Sequence, residues 1–124
     1  MATAITNIQS VLNVGTLSTP TTATADVANL AEEFTLTPTG SKFIVQVDNV
    51  SGSNGSVTFS LAAGTMWAKT VALTGTILQG TSQVLEVDTA KYLDGGDMAL
   101  TITPASGKKL LTDHALTIQA IQLV

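Results

Sequence analysis

The stretch Phe34–Leu61, FTLTPTGSKFIVQVDNVSGSNGSVTFSL, constrains the fold of this chain more than any other. Phe34 and Leu36 alternate with Thr35 and Thr37. Phe43, Val45 and Val47 alternate with Ile44, Gln46 and Asp48, and Val57, Phe59 and Leu61 alternate with Thr58 and Ser60. A period of two sends successive side chains to opposite faces of an extended backbone. Each run therefore buries one set and shows the other to solvent or to a partner. Each run is closed by Gly, Asn, Ser or Pro, which supply the turns. The spacing predicts strands over about 32–37, 42–48 and 56–62. Thr37 to Ser41 reads as a turn with Pro38 and Gly40 at workable positions. Asn49 to Gly55 reads as a longer polar loop, and its Asn54-Gly55 pair favours positive φ.

The same pattern recurs downstream. Thr70 to Leu78 is strand-like but interrupted by Gly75, and Gln79 to Ser82 reads as a turn. Gln83 to Asp88 reads as a strand with Leu85 and Val87 inside and Glu86 and Asp88 outside. Thr89 to Asp97 is expected as a loop with Tyr92 and Leu93 tucked inward. Met98, Leu100 and Ile102 alternate with Ala99, Thr101 and Thr103, and Pro104 ends that run. Ala105 to Lys109 reads as a turn and Ala115 to Val124 as the closing strand. In that last strand Leu116, Ile118 and Ala120 share one face while Ile121 and Leu123 fall on the other. Either a bulge re-phases the strand or both faces are buried, and the second case is consistent with a subunit contact.

Residues 1–31 differ from the rest of the chain. No lysine occurs before Lys42, and Ile5, Ile8 and Leu12 fit a weak helical stripe as well as Val11 to Thr16 fits a strand. Pro20 restrains Thr19 to extended geometry. Val27, Leu30, Ala31 and Phe34 recur at helical spacing, so residues 25–31 read as a turn of helix or a loop. The expected organisation is an N-terminal arm or first strand over 1–31 and a β-sandwich over 32–124. Eight or so short strands with regular turn signals and no long helix predict an all-β fold. The expected form is a single antiparallel β-sandwich, jelly-roll-like, with an extended N-terminal arm.

Composition narrows the functional classes. A chain of 124 residues fits one domain and one core. Only 11% of residues are charged, against roughly 25% in typical soluble domains. Thr is the commonest residue. A Thr-rich, charge-poor surface suits sheet faces, and it suits surfaces held against another protein, where charge is costly to desolvate. The net charge is −4, with five Lys and no Arg, which argues against nucleic-acid binding. No cysteine is present, so disulfides and thiolate metal sites are excluded. MATAITNIQS lacks the basic and apolar regions of a secretory signal, and no apolar run approaches the roughly 18 residues of a membrane helix. The expectation is a soluble chain made in the cytosol.

Candidate chemistry is sparse. Asp94-Gly95-Gly96-Asp97 is an acidic Gly loop but lacks the EF-hand spacing, so it reads as a turn. His114 is the only histidine, cannot build a His-based zinc site alone, and reads as a solvent-exposed turn residue. No GxSxG-type elbow accompanies it. Nothing places two of Glu32, Glu33 and Glu86 across a cleft as a glycosidase pair requires. Asn49-Val50-Ser51 and Asn54-Gly55-Ser56 read as chance sequons, and Lys108-Lys109 as a solvated turn. Catalytic, cofactor and metal residues are therefore expected to be absent. Met66 and Trp67, after AAG, read either as a plug for the core or as an exposed anchor for a partner.

From Phe34 onward the order GSKFIVQVDN, GSVTFSLAAG, GTSQVLEVD, KYLDGGDMALTITP and ALTIQAIQLV resembles that of small head decoration, or cement, proteins of tailed bacteriophages. The likeness covers roughly residues 32–124 and is one of strand order and spacing, with no catalytic signature. It implies a non-enzymatic structural protein, made in the host cytoplasm and located on the capsid surface of the virion. Its implied partners are the major capsid protein shell and itself, as a homotrimer, with no nucleic acid, membrane or cofactor. Many identical contacts on a symmetric shell would add through multivalency. On this reading the expected capsid or subunit contacts are Ile5, Ile8, Val11, Leu12, Val14, Leu17, Trp67, Ile121 and Leu123. The alternative is a carbohydrate- or receptor-binding sandwich of a phage tail or bacterial surface protein, since the fold hosts many functions. Sugar binders usually display several aromatics, and this chain has one Trp, one Tyr and three Phe. A cupin-like enzyme would need a histidine cluster.

Overall fold

The computed structural model describes residues 2–5, 8–10, 20–50, 54–65 and 71–123. Among the described residues ten strands occur in order: β1 (Ala2–Ile5), β2 (Ile8–Ser10), β3 (Thr21–Thr22), β4 (Glu32–Leu36), β5 (Lys42–Asn49), β6 (Val57–Leu61), β7 (Leu73–Ile77), β8 (Thr81–Asp88), β9 (Met98–Thr103) and β10 (Thr117–Leu123). A short 3-10 turn, Thr89–Lys91, links β8 to the loop before β9.

The strands form two sheets packed as a β-sandwich. The first sheet runs β1-β4-β9-β6-β7 and the second runs β2-β10-β5-β8, with β3 also on β10. Each neighbouring pair along β4-β9-β6-β7 is antiparallel, as is each along β3-β10-β5-β8. Two parallel pairings are added at the rim. β1 lies beside β4 and β2 beside β10, so the two N-terminal strands join different sheets.

Alternation explains the core. Phe34, Leu36, Phe43, Val45, Val47, Val57, Leu61, Met98, Leu100, Ile102, Leu116 and Ile118 are fully buried between the sheets. Each is the apolar member of its period-two run. Burying each such side chain contributes roughly 1.5–3 kcal/mol before the entropy of ordering it is charged against the gain. Tyr92 and Leu93 are half-buried and pack on the core, as expected.

Two local expectations change, at Gln83 and Gly75, and two pairs of alternatives are resolved, at 25–31 and in β10. Residues 25–31 form no helix; a turn at 27–29 is fixed by Asn29 in the left-handed region at φ 65°. The strand expected from Gln83 begins at Thr81, because the turn closes earlier, at Gly80 with φ 78°. β7 runs straight through Gly75, which pairs directly with Phe59. A Cβ at Gly75 would lie 2.7 Å from Cε1 of the Phe59 ring, so the absent side chain is what lets the ring lie over the strand. β10 contains no bulge: its pairing with β5 is unbroken from Thr117↔Asp48 to Leu123↔Lys42. Ala120, Ile121 and Gln122 are instead all buried in succession, so both faces of this segment are covered.

Candidate interaction surface

The polar chemistry inside the sandwich is taken up in holding loops. His114 is fully buried rather than solvent-exposed. The backbone N–H of Ala105 donates to His114 Nε2 at 3.1 Å. That contact makes Nε2 an acceptor, so the ring proton sits on Nδ1 and is donated to Asn49 Oδ1 at 3.2 Å. Asn49 Nδ2 then donates to the carbonyls of Gly55 at 3.0 Å and Ile77 at 3.3 Å. Burial pushes the His114 ring below the ordinary histidine value of 6.5, the Asp113 carboxylate opposes that shift and Lys108 adds to it. Nearby, Asn54 Nδ2 donates to the Asp113 carbonyl and Gly55 N–H to Gln79 Oε1, each at 2.9 Å. One end of the sandwich is thus tied together through three loops.

Two further buried polar side chains do similar work. Glu32 accepts from the N–H groups of Thr24 at 2.8 Å and Ala25 at 2.5 Å, fixing the segment before β4. Gln122 Oε1 accepts from the N–H groups of Thr39 at 2.8 Å and Gly40 at 3.2 Å, and its Nε2 donates to the Lys42 carbonyl at 2.7 Å. Among the described residues every buried side-chain nitrogen and oxygen has a hydrogen-bond partner. Periodicity held the signal for all three strand residues. Glu32 is in phase with Phe34, Asn49 with Val47 and Gln122 with Ala120, so each points inward against its polarity.

The outer face of the first sheet is different in kind. Register sets Thr103, Thr58 and Thr76 side by side across β9, β6 and β7, and sets Thr101, Ser60 and Thr74 in the next row, with Glu33 of β4 beside Thr101. Thr35 and Ala99 continue the face. Among the described residues Glu33 is its only strand carboxylate. Charge collects instead on the outer face of the second sheet, where Lys42 Nζ lies 4.0 Å from Glu86 Oε1. Both side chains are about two-thirds exposed, and such pairs contribute roughly 0–1 kcal/mol.

A notch of about 250 Å3 opens at the rim of the threonine face, lined by Glu33, Thr35, Ala62, Ala63, Tyr92, Asp94, Asp97, Met98 and Ala99. Asp97 Oδ1 accepts from Thr37 Oγ1 at 2.7 Å. Among the described residues no three His, Cys, Asp or Glu side chains are grouped to hold a metal ion.

The expected contact residues scatter. Val11, Leu12, Val14, Leu17 and Trp67, with Met66, lie outside the described residues. Ile5 pairs through its backbone with Leu36, Ile8 with Ala120 and Leu123 with Lys42. Ile121 is 8% exposed within the single chain, so its side chain is already covered without a second subunit. No family model, curated protein or solved structure matches the chain. Fold and surface together define a class, a two-sheet β-sandwich whose polar interior is structural and whose outer faces differ sharply in charge.

Proposed function

We propose that this chain is a non-enzymatic virion protein that docks on the outside of a phage capsid and stabilises it, as the resemblance implies. The observation that carries this reading is the threonine and serine plateau on the first sheet. Hydroxyls and methyls can be taken out of water against a protein shell with short-range hydrogen bonds and without the penalty of stripping charges. A rigid two-sheet scaffold limits the ordering entropy lost on docking. Protein that binds only the assembled shell stabilises it by linkage. The test mixes purified protein with undecorated heads and looks for stoichiometric, symmetric density. Thr58→Lys and Thr76→Lys, both on exposed side chains, should abolish that density while the protein stays folded. Unchanged decoration by both variants, or no binding to any candidate shell, rejects the reading.

The notch favours a second reading, the carbohydrate-binding module. Carboxylates of Glu33, Asp94 and Asp97 beside Tyr92 offer acceptors and one stacking ring to a sugar hydroxyl face. Saturable shifts of the Tyr92 ring resonances on adding a glycan, lost in Asp97→Asn, would support that alternative.

A further inference from the structure

β8 is the terminal strand of its sheet, and its far edge pairs with no other described strand. It is eight residues long and bonded to β5 in unbroken register from Lys42↔Asp88 to Asn49↔Thr81. Thr81, Ser82, Gln83 and Val84 are all exposed, although Gln83 and Thr81 lie on the face that sends Leu85 and Val87 into the core. Their direct neighbours on β5, Val47 and Asn49, are fully buried. The first half of β8 therefore overhangs the sandwich, showing both faces and one line of backbone N–H and C=O groups.

Edge strands are ordinarily blunted by lysine, proline, a bulge or a short length, because open backbone templates another strand. Thr81–Val84 carries no such device. It has no charge, no proline and no break in register, and Val84 remains 53% exposed. Ser82 Oγ donates to Asp48 Oδ1 and Thr81 Oγ1 to the Leu78 carbonyl, so the overhang is held extended. By contrast β7, the terminal strand of the other sheet, is five residues long and has glycine at its centre.

We propose that this half of β8 pairs antiparallel with β8 of a second copy of the chain about a two-fold axis, making one continuous sheet from two subunits. The sequence is self-complementary for that pairing. With Gln83 on the two-fold axis and opposite Gln83 of the other copy, Ser82 faces Val84 on the outer face, which covers the exposed valine. In the same register Glu86 and Asp88 fall beyond the start of the other strand at Thr81. No carboxylate then opposes a carboxylate, as happens when the axis falls at Glu86, Val87 or Asp88. A foreign strand would gain the same backbone bonds but has no reason to match this segregation of charge. The contact needs no shell, and it is two-fold, whereas the decoration reading implies a trimer. The contact area is small, so association is weak and depends on concentration.

The experiment measures mass by sedimentation and amide hydrogen exchange across rising concentrations of the full chain. The expected result is a shift from one copy to two, with slower exchange on concentrating confined to 81–85. Val84→Lys and, independently, Gln83→Lys should abolish both changes, while Thr39→Lys, exposed in the turn at the other end of β5 from Asn49, leaves them intact. A monomer at every concentration overturns the proposal. So does an oligomer, trimeric or otherwise, in which 81–85 exchanges as fast as in dilute protein.

Discussion

His114 and Asn49 are 65 residues apart in sequence and meet in the interior, with the ring Nδ1–H donating to Asn49 Oδ1 at 3.2 Å. Both side chains are buried. Because His114 Nε2 already accepts from the Ala105 N–H, a second ring proton would face a donor and replace a hydrogen bond with a repulsion. The imidazole is therefore a neutral structural bridge between loops.

That bridge makes stability depend on pH with a definite sign. The folded pKa of His114 lies below the ordinary 6.5, chiefly through burial. Above about pH 6.5 both states hold a neutral ring and the contribution is fully present. As pH falls below that value the unfolded chain takes up a proton that the folded chain refuses, so stability declines until pH passes the folded pKa. This is the only histidine. Urea unfolding should show stability declining as pH falls below about 6.5, a decline absent in His114→Gln. A flat profile in the wild-type chain would mean that the buried ring is not held neutral by the fold.

Asn49→Ala removes one acceptor and two donated bonds at once. The His114 Nδ1–H and the carbonyls of Gly55 and Ile77 lose a partner inside the protein. A loss on the order of 3 kcal/mol is expected, at the upper end for buried groups left unmade. In a double-mutant cycle with His114→Ala the two losses should fall short of additive by about 1 kcal/mol or more, since they share a bond. Strict additivity would mean that the two side chains act separately.

Gly75→Ala tests the ring packing of the first sheet. The new Cβ would sit 2.7 Å from Cε1 and 2.8 Å from Cζ of Phe59. Overpacking of this kind costs about 1–3 kcal/mol. Phe59→Leu alone should also destabilise by leaving space over Gly75. In the Gly75→Ala background it should do less harm, and thermal melts of the four proteins would read that shortfall from additivity as the coupling term.

Much of the architecture is legible from parity alone. Phe34, Phe43, Val57, Leu85, Met98 and Leu116 lead runs whose inward set the structure buries without exception. The threonine rows are equally implied as the outward set of the same runs, but which threonines stand side by side depends on register between strands far apart in sequence. His114 misleads in sequence because its neighbours, Asp113 and Ala115, are those of a turn. The turn is real, yet Asn49 and Ala105 close over the ring. Thr81 resembles a turn residue because Gly80 and Ser82 flank it; pairing with Asn49 extends the strand by two residues.

The sequence by itself determined that the chain would be all-β, which residues would face inward, and that its surface would be poor in charge. These properties arise from alternation and composition, which act residue by residue along an extended backbone. Only the tertiary structure decided which strand lies beside which, where polar side chains would be buried in phase with the core, and which edge would be left open. Those depend on pairing over long loops, and a local pattern carries no information about its partner. The exposed half of β8 is the clearest case. Thr81, Ser82 and Gln83 carry no apolar alternation and read as a turn and the start of a strand, and only their pairing with β5 shows them to be an extended, uncovered edge.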